Sequence, residues 1–453
     1  MAKLNLLMTK IYSTALLALL TLTLTAQAPD IKINWGQPLE YSNLDFARIV
    51  GSTGNSFYTY NYELQKTLGK KRLHNVRLYD LNTLELIFKS ELEDFEYKGE
   101  EAGYEHSLVK PNGNAVIYFT CYSSKEDLSY LICRTVDEHG RWGEIKEIAT
   151  AEEKTAAIPA EFTILTSKDS SLVLVISKPD YQRRAAEKFQ VKVMNRDHDL
   201  IWEREITLPF LDKSFIVMDQ AVTNDGDVYV LGASLPKKRK DKSNYHFKFY
   251  RISKQSQNIE EFDLGFQNMF MSSAKINPDF TDNRSLLNGF YKKELENGSL
   301  LTVDGTFLIS YSQESMAVES RNFKKFTPEF LSNFMSDQKI AEGEAIASGY
   351  VTRKILPKPN DKGLLIIAER ELIYQTTSAY QTSSGYRTMT NNYDFGNIIV
   401  TSIKPSGEIE WHAFVPKKQI TLDDGGDYSS FLSIQDKDKL HFIFNDHKKN
   451  AAL

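Results

Sequence analysis

The stretch TNDGDVYVLGAS, residues 223–234, joins a turn rich in Asn, Asp and Gly to a strand of mostly apolar residues. The same order of turn and apolar strand recurs along the chain, as STGNSFYTYNY (52–62), PNGNAVIYF (111–119), SKDSSLVLVIS (167–177), PNDKGLLIIAE (359–369) and QDKDKLHFIFND (435–446). The copies that start at 111, 167 and 223 begin 56 residues apart. A unit that repeats at a fixed period indicates a repeat architecture.

Each unit contains further strand patterns around the apolar strand. A second run such as FKFYRIS (247–253) follows a variable loop, and a third such as LIWEREITL (200–208) follows a short turn. A fourth run, such as EFTIL (161–165), precedes the apolar strand. Four antiparallel strands per unit predict an all-β fold, the β-propeller, in which each unit is one four-stranded blade. A sandwich of two sheets does not account for six copies of the same order of turn and strands.

The two ends of the chain predict how the propeller closes. The segment KINWGQPLEY (32–41) resembles the outermost strand RWGEIKEI (141–148), but no strand pattern precedes it. We therefore expect a seven-bladed propeller whose last blade combines residues 428–453 with residues 31–41. That blade lacks a clear third strand, which favours a blade cut short at Leu453. The other blades are expected at about 42–95, 101–150, 158–210, 215–266, 270–323 and 345–417.

In this repeat pattern the chain resembles the secreted multi-bladed β-propeller proteins of Gram-negative bacteria. The resemblance covers residues 29–453 and concerns the architecture alone, because the Gly-His and Trp-Asp signatures of WD40 repeats and the recurring double glycine of kelch repeats are absent. It implies a single propeller domain. No catalytic motif can be carried over from it.

Residues 1–28 are typical of a secretory signal peptide. Lys3 and Lys10 make the start of this segment basic. The apolar run STALLALLTLTLTA (13–26) follows, and small residues come after it. The run is too short to cross a bilayer comfortably, and no other segment of the mature chain reaches that length. We therefore expect an exported protein without a transmembrane segment, located in the periplasm, on the cell surface or outside the cell.

The charge of the chain argues against nucleic acid as a partner. The net charge is −5 at pH 7, and removing Lys3 and Lys10 with the signal peptide makes it more negative still. Nucleic-acid binding needs net or clustered positive charge. The basic run SLPKKRKDKSN (234–244) belongs to a chain predicted to be exported, which argues against a nuclear import signal. We expect a protein or polysaccharide partner in the cell envelope, and a monomeric chain.

Several loops between the second and third strands of a blade are unusually basic, and these loops emerge on one face of a propeller. Lysines in such loops commonly keep strand edges solvated and have no further role. The alternative is a local positive field that attracts an acidic partner. The candidate binding residues are then Lys70, Lys71, Arg72, Arg183, Arg184, Lys237, Lys238, Arg239 and Lys240.

A Tyr-rich insertion in the sixth blade, YQTTSAYQTSSGYRTMTNNYD (374–394), is a second candidate surface. Tyr among small polar residues is typical of recognition loops, because Tyr offers a large contact area at low entropic cost. The alternative is a long hairpin whose tyrosines pack on one another. The candidate binding residues are Tyr374, Tyr380, Tyr386 and Tyr393.

Cys121 and Cys133 lie on neighbouring predicted strands of the second blade. Export permits a disulfide between them, and a symmetric hairpin would place them roughly opposite each other. The strand register decides whether their Cβ atoms approach closely enough. The alternative is a pair of buried thiols.

The segment TPEFLSNFMSD (327–337) is predicted to form a helix. Thr327 suits the N-cap position, Pro328 suits the first helical position, and apolar residues at positions 330, 331, 334 and 335 form one stripe. We expect this helix to pack against the flank of the propeller.

The sequence contains no HExxH, GxSxG, phosphate-binding glycine loop or paired CxxC motif. We expect no metal and no cofactor. Propeller enzymes assemble their sites from different blades, so missing linear motifs count only weakly against catalysis. We predict an exported binding or scaffold module that recognises an acidic, glycan or protein partner through one loop face. The alternative is a hydrolase or lyase that acts on glycans or peptides.

Overall fold

The computed structural model describes most of the chain from Arg48 to Asp446. The described ranges are 48–65, 71–154, 159–235, 245–256, 258–266, 269–281, 284–293, 301–315, 317–377, 389–426, 429–437 and 439–446. Among the helices within these ranges, none has the length and apolar character needed to cross a lipid bilayer.

Six four-stranded antiparallel sheets follow one another along the described ranges, and they form the blades of a β-propeller. Blades 1 to 3 and the short hairpin β5–β6 comprise β1(Arg48–Thr53), β2(Ser56–Gln65), β3(Lys71–Asp80), β4(Leu86–Glu93), β5(Glu96–Tyr97), β6(Glu100–Glu101), β7(Gly103–Val109), β8(Ala115–Ser123), β9(Leu128–Val136), β10(Lys146–Glu152), β11(Glu161–Thr166), β12(Leu172–Lys178), β13(Ala186–Asn195) and β14(Leu200–Leu211).

Blades 4 to 6 contain further elements between and beside their four main strands. In chain order the elements are β15(Phe215–Val222), β16(Val228–Ser234), β17(His246–Ile252), β18(Ile259–Phe262), β19(Phe270–Thr281), β20(Arg284–Lys292), β21(Thr302–Val303), β22(Gly305–Ser312), β23(Ala317–Lys325), α1(Pro328–Leu331), α2(Asp337–Ala341), β24(Ile346–Ala347), β25(Tyr350–Pro357), β26(Leu364–Thr377), β27(Met389–Ile403), β28(Ile409–Val415) and β29(Gln419–Leu422). The small strands β21 and β24 pair with each other, and β29 joins blade 6 beside β27.

The apolar strands of the repeat are the second strands of the blades, as their near-continuous hydrophobicity predicts. Six of the seven residues of β12 and of β16 are buried, and all eight residues of β22, a third strand, are buried as well. A strand that is covered on both faces reads as a continuous apolar run. The faces are covered because the hydrophobic clusters extend across neighbouring sheets, for example from β12 and β13 of blade 3 to β16 and β17 of blade 4.

The described ranges do not contain the predicted seventh blade as a four-stranded sheet. After blade 6 the described chain forms a two-stranded hairpin, β30(Leu432–Asp436) and β31(Lys439–Ile443), which gives six complete blades within the described ranges. The hairpin packs on blade 6 through Phe431, Leu440 and Phe442, as the next blade would. The predicted closing strand, residues 31–41, lies outside the described ranges.

The two cysteines do not form a disulfide. In the pairing of β8 with β9, Cys121 lies opposite Tyr130 and Cys133 lies opposite Tyr118. The offset of three positions places the two side chains on opposite faces of the sheet. Cys121 accordingly packs in the core between blades 1 and 2, and Cys133 packs in the core between blades 2 and 3. Both are buried free thiols.

The predicted helix start is confirmed, but α1 ends at Leu331 instead of continuing to Asp337. Thr327 is the N-cap of α1, and its side-chain oxygen accepts a hydrogen bond from the Phe330 amide at 3.2 Å. Phe330 and Leu331 are buried in one cluster with Tyr350 of blade 6 and Phe290 of blade 5. The helix therefore packs against the propeller between these two blades.

Candidate functional site

The predicted basic residues are not all available for a partner. Arg183 and Arg184 are exposed in the turn between β12 and β13 of blade 3. Arg72 instead forms an ion pair with Glu101, and Lys71 is the first residue of β3. The other candidates lie outside the described residues, namely Lys70, Lys237, Lys238, Arg239 and Lys240.

The two described tyrosines of the blade 6 insertion do not form a common platform. Tyr374 on β26 lies opposite Asn392, whereas Tyr393 on β27 lies opposite Ile373. The side chains of Tyr374 and Tyr393 therefore point to opposite faces of the hairpin. The long hairpin itself is present, as the alternative reading of the insertion predicted. Tyr380 and Tyr386 lie outside the described residues.

A buried cluster of charges supports the turn that carries Arg183 and Arg184. Lys178 is the last residue of β12, and its Nζ atom lies 2.9 Å from Glu187 Oε1 and 3.1 Å from Asp212 Oδ1. The side chains of Glu187 and Asp212 are 0% and 7% exposed. One lysine ammonium thus holds two carboxyl groups from the strand that follows the turn and from the connection to blade 4.

Backbone hydrogen bonds fix the position of the same turn. The Gln182 amide donates to Asp212 Oδ2 at 2.8 Å, and the Asp212 amide donates to the Ala185 carbonyl at 3.0 Å. The buried carboxylate of Asp180 accepts from the Lys154 amide at 3.1 Å, which ties the turn to the loop after blade 2. The turn and the segment at Asp212 are therefore joined by direct contacts.

Three cations at these segments face solvent. Arg183 and Arg184 lie in the turn, and Lys213 directly follows Asp212. Within the described part of the chain, the side chains of these three residues make no hydrogen bond or ion pair. We call Arg183, Arg184 and Lys213 the cation triad. By contrast, nearby Lys188 is paired with Glu205 at 2.8 Å.

Two cavities flank the charge cluster, one on each side of blade 3. The first, of about 430 Å³, lies toward blade 2 and is lined by Glu152 and Gln190 among others. The second, of about 570 Å³, lies toward blade 4 and is lined by Tyr181 and Lys213 among others. Lys178, Phe189 and Asp212 line both. Lys213 lines the second cavity, and Gln182 and Ala185, which flank Arg183 and Arg184 in the turn, line the first. Each cavity is large enough to hold a sugar unit or a side chain.

Glu187 has an altered acidity but no exposed side-chain surface. Burial raises the pKa of Glu187 from 4.5 to about 7, and the Asp212 carboxylate adds to the rise, whereas Lys178 opposes it. A carboxyl group with such a pKa suits general acid catalysis. A catalytic group must nevertheless reach its substrate, and the Glu187 side chain has no exposed surface. The Glu187 carboxyl group therefore acts within the fold.

Related ion pairs occur at the same end of two other blades. Lys292 at the end of β20 lies 2.9 Å from Asp304 just before β22, and Arg370 on β26 lies 3.4 Å from Asp394 on β27. In each case a cation on the second strand pairs with an acid near the start of the third. This recurrence favours a structural role for the Lys178 cluster, namely to hold the loop end of its blade.

The sequence reasoning missed Lys178, Glu187, Asp212 and Lys213. Glu187 carried a usable signal, because the alternation of β13 places it on the same face as Phe189, Val191 and Val193. An acid on an apolar face of a strand needs a buried partner. Asp212 carried no such signal, because it meets Lys178 only when the blade is folded. In the ranges that the structure describes, no group of three or more His, Cys, Asp or Glu residues is placed to hold a metal ion.

No protein-family model matches the chain, and no curated protein matches it. Among solved structures, an acylaminoacyl peptidase from Pyrococcus horikoshii is 12% identical, with a TM-score of 0.37 over 86% of this chain and 55% of the peptidase. An apocarotenoid oxygenase from Synechocystis is 8% identical, with a TM-score of 0.35 over 79% of this chain and 72% of the oxygenase. Prolyl oligopeptidase B from Galerina marginata is 12% identical, with a TM-score of 0.36 over 80% of this chain and 47% of that enzyme. This chain thus spans about half the length of the two peptidases. No activity is carried over from these similarities.

Proposed function

We propose that the protein is an exported binding module that holds an acidic partner on the loop face of blade 3. The observation that carries the proposal is the cation triad. Arg183, Arg184 and Lys213 lie exposed, without an ion-pair partner among the described residues, on two segments that hydrogen bonds join beside the two cavities of the blade. The signal peptide predicted for residues 1–28 supports export, to the periplasm, the cell surface or the medium.

The triad can attract an acidic partner although the chain carries a net charge of −5, because Glu187 and Asp212 in the adjoining segments are buried. Lys178 pairs with both carboxyl groups inside the fold, so they are not displayed beside the triad. Exposed charges within about 10 Å act together before salt screens them. Two of the three cations are arginines, which bind carboxylate and sulfate groups through paired hydrogen bonds. The partner we propose is an acidic polysaccharide or an acidic protein segment of the cell envelope.

Polygalacturonate, a carboxylated polysaccharide, is a suitable probe of this site. We expect the variant Arg183→Ala/Arg184→Ala/Lys213→Ala to bind it on the order of a hundredfold more weakly at low salt, because three charge-assisted contacts are lost. Calorimetric titration of the parent and the variant measures the difference.

A matched control removes the same charge from elsewhere. Lys89, Lys248 and Lys339 each form an ion pair with a glutamate, and the variant Lys89→Ala/Lys248→Ala/Lys339→Ala should bind as the parent does. Equal losses in the two triple variants would mean that only the net charge matters. An undiminished affinity of the first variant would exclude the triad as the binding site.

A hydrolase or lyase that acts on glycans or peptides is the second function that the sequence left open. It would need a carboxyl group at the surface of a cavity. Burial raises the pKa of two carboxyl groups here, but Glu187 has no exposed side-chain surface and is bound to Lys178, and Asp219 is paired with Lys275 at 2.9 Å, which favours binding over catalysis. The proposal therefore names no catalytic residue and no cofactor.

We also propose that residues 31–41 complete a seventh blade beside the hairpin β30–β31. The support is the packing of that hairpin on blade 6 and the likeness of KINWGQPLEY to an outermost strand. An uncovered edge strand is a liability that proteins avoid. Deleting residues 31–41 from the chain that starts at residue 29 should lower the free energy of unfolding by about 2 kcal/mol or more. Urea unfolding measures this, and an unchanged value would contradict the closure.

A further inference from the structure

A crevice of about 630 Å³ lies between blades 5 and 6, away from the blade 3 site. Its walls include the turn after β25 and the turn after β27, whereas the cation triad follows β12 and β14. In an antiparallel blade, the turns after the first and third strands lie at the opposite end from those after the second and fourth. The crevice therefore opens on the other face of the propeller.

The floor of the crevice is apolar. Leu286 and Leu308 of blade 5 and Ile403 of blade 6 are buried in one hydrophobic cluster, with Phe280 and Leu364 packed against it. All five residues line the crevice. A concave surface of this size with an apolar floor and a few polar groups is typical of a site for a small molecule.

Hydrogen bonds between the two blades hold the crevice open in one shape. Asn288 Nδ2 donates to Thr352 Oγ1 at 2.8 Å, and Lys324 Nζ donates to the carbonyl oxygens of Ile409 and Glu410 at 3.0 and 2.6 Å. Gly407 has a positive φ of 84°, which favours glycine in the turn after β27 beside Ser320 of blade 5. A pocket that is already formed binds its ligand without a cost of reorganisation.

The mouth of the crevice is lined by three cations. Among the described residues, Arg284, Lys358 and Lys404 line it together with one acid, Glu319. Each cation has one carboxylate partner: Glu319 lies 3.2 Å from Arg284, Glu410 lies 3.0 Å from Lys358, and Glu408 lies 2.8 Å from Lys404. The pairs of Arg284 and Lys404 are exposed, and exposed ion pairs contribute little to stability. A ligand carboxylate can therefore replace their partners at small cost.

From the apolar floor and the excess of cations among the lining residues, we propose that this crevice binds a small anionic amphiphile, a molecule with one apolar chain or ring and one carboxylate. The apolar part lies on Leu286, Leu308 and Ile403. The carboxylate lies at the mouth between Arg284 and Lys404. The two contacts together distinguish such a ligand from a neutral alcohol or a short carboxylic acid, each of which satisfies only one of them.

Octanoate tests the proposal, with 1-octanol and acetate as probes of the separate parts. Octanoate should bind about tenfold more tightly than 1-octanol, and acetate should not bind measurably, by titration calorimetry on the full chain. The variant Arg284→Gln/Lys404→Gln should lose about tenfold in octanoate affinity and keep its affinity for 1-octanol. The control Lys89→Gln/Lys248→Gln removes two paired cations elsewhere and should change neither affinity.

A second variant checks the location independently of charge. Ser320 of β23 lines the crevice, and Ser320→Phe places a ring in its mouth, which should abolish the binding of both octanoate and 1-octanol. Thermal unfolding of this variant verifies that it folds. Equal affinities for octanoate and 1-octanol would overturn the proposal. So would octanoate binding that survives both variants, or the absence of octanoate binding to the parent.

Discussion

Replacing Glu369 by glutamine will lower the free energy of unfolding by about 3–5 kcal/mol, because the change leaves a buried ammonium without its carboxylate. The side chains of Glu369 and Lys417 are both 0% exposed, and Lys417 Nζ lies 2.8 Å from Glu369 Oε1. The other acceptors of Lys417 are the Phe395 carbonyl at 3.1 Å and Gln419 Oε1 at 2.7 Å, and both are neutral. Urea unfolding of the parent and the variant measures the loss.

The same carboxylate organises the centre of blade 6. Glu369 Oε2 accepts from Arg353 Nε at 2.9 Å and from Ser430 Oγ at 2.7 Å. Burial lowers the pKa of Lys417, and Glu369 opposes this shift as the main favourable partner of the ammonium. Removing the negative charge therefore removes the interaction that keeps Lys417 protonated in the core.

The double variant Glu369→Gln/Lys417→Met separates the buried charge from the lost contact. We expect it to be more stable than Glu369→Gln alone, because methionine removes the unpaired ammonium and fills a similar volume. The control Glu408→Gln removes one acid of an exposed ion pair and should have a small effect. A loss below about 1 kcal/mol for Glu369→Gln, or a double variant that is less stable than both single variants, would contradict this description of the core.

The second large effect is a dependence of stability on pH that Glu187 produces. Burial raises the pKa of Glu187 to about 7 in the folded protein, against 4.5 in the unfolded chain. Between these two values the folded state holds a proton that the unfolded state releases. The stability contributed by this group is therefore fully present below pH 4.5, and it is lost as the pH rises through 7.

The difference between the parent and Glu187→Gln isolates this contribution from other groups. Burial lowers the pKa values of His74, His198 and His412 to about 4, and these residues give a trend of the opposite sign in the acid range. They are present in both proteins and cancel in the difference. We expect the parent to lose about 2–3 kcal/mol relative to Glu187→Gln between pH 4.5 and 7.5. A difference that stays constant over this range would show that Glu187 is ionised throughout.

The propeller was predictable because its blades are local. Each blade is a meander of four strands in which each strand pairs with the next one along the chain. One continuous stretch, such as residues 161–211, therefore contains the whole blade. The helix start at Thr327 was predictable for the same reason, since the cap bonds a residue three positions away. The seventh blade remains a prediction, because it would require pairing between the two ends of the chain and residues 31–41 lie outside the described ranges.

The exposure of a site residue was predictable only where the type of that residue alone decides it. Arg183 and Arg184 are exposed because charged side chains in a tight turn face solvent. The same reasoning treated Arg72 as equivalent, but Glu101 on a separate hairpin forms an ion pair with it. Lys213 belongs to the candidate surface because Asp212, the residue before it, contacts the turn. This contact forms only when the blade is folded. The predicted disulfide is absent because Cys121 and Cys133 are offset by three positions in the pairing of β8 with β9.

Hydrogen–deuterium exchange of the full chain with and without polygalacturonate tests the central claim most directly, because it locates the contact. Our account predicts slower exchange in residues 178–188 and 211–215, which carry the cation triad. It predicts no change in residues 124–127, the equivalent turn of blade 2, or in residues 404–408 on the opposite face. Protection confined to other loops, or binding of the polymer without protection of residues 178–188, would contradict the assignment of the binding site to blade 3.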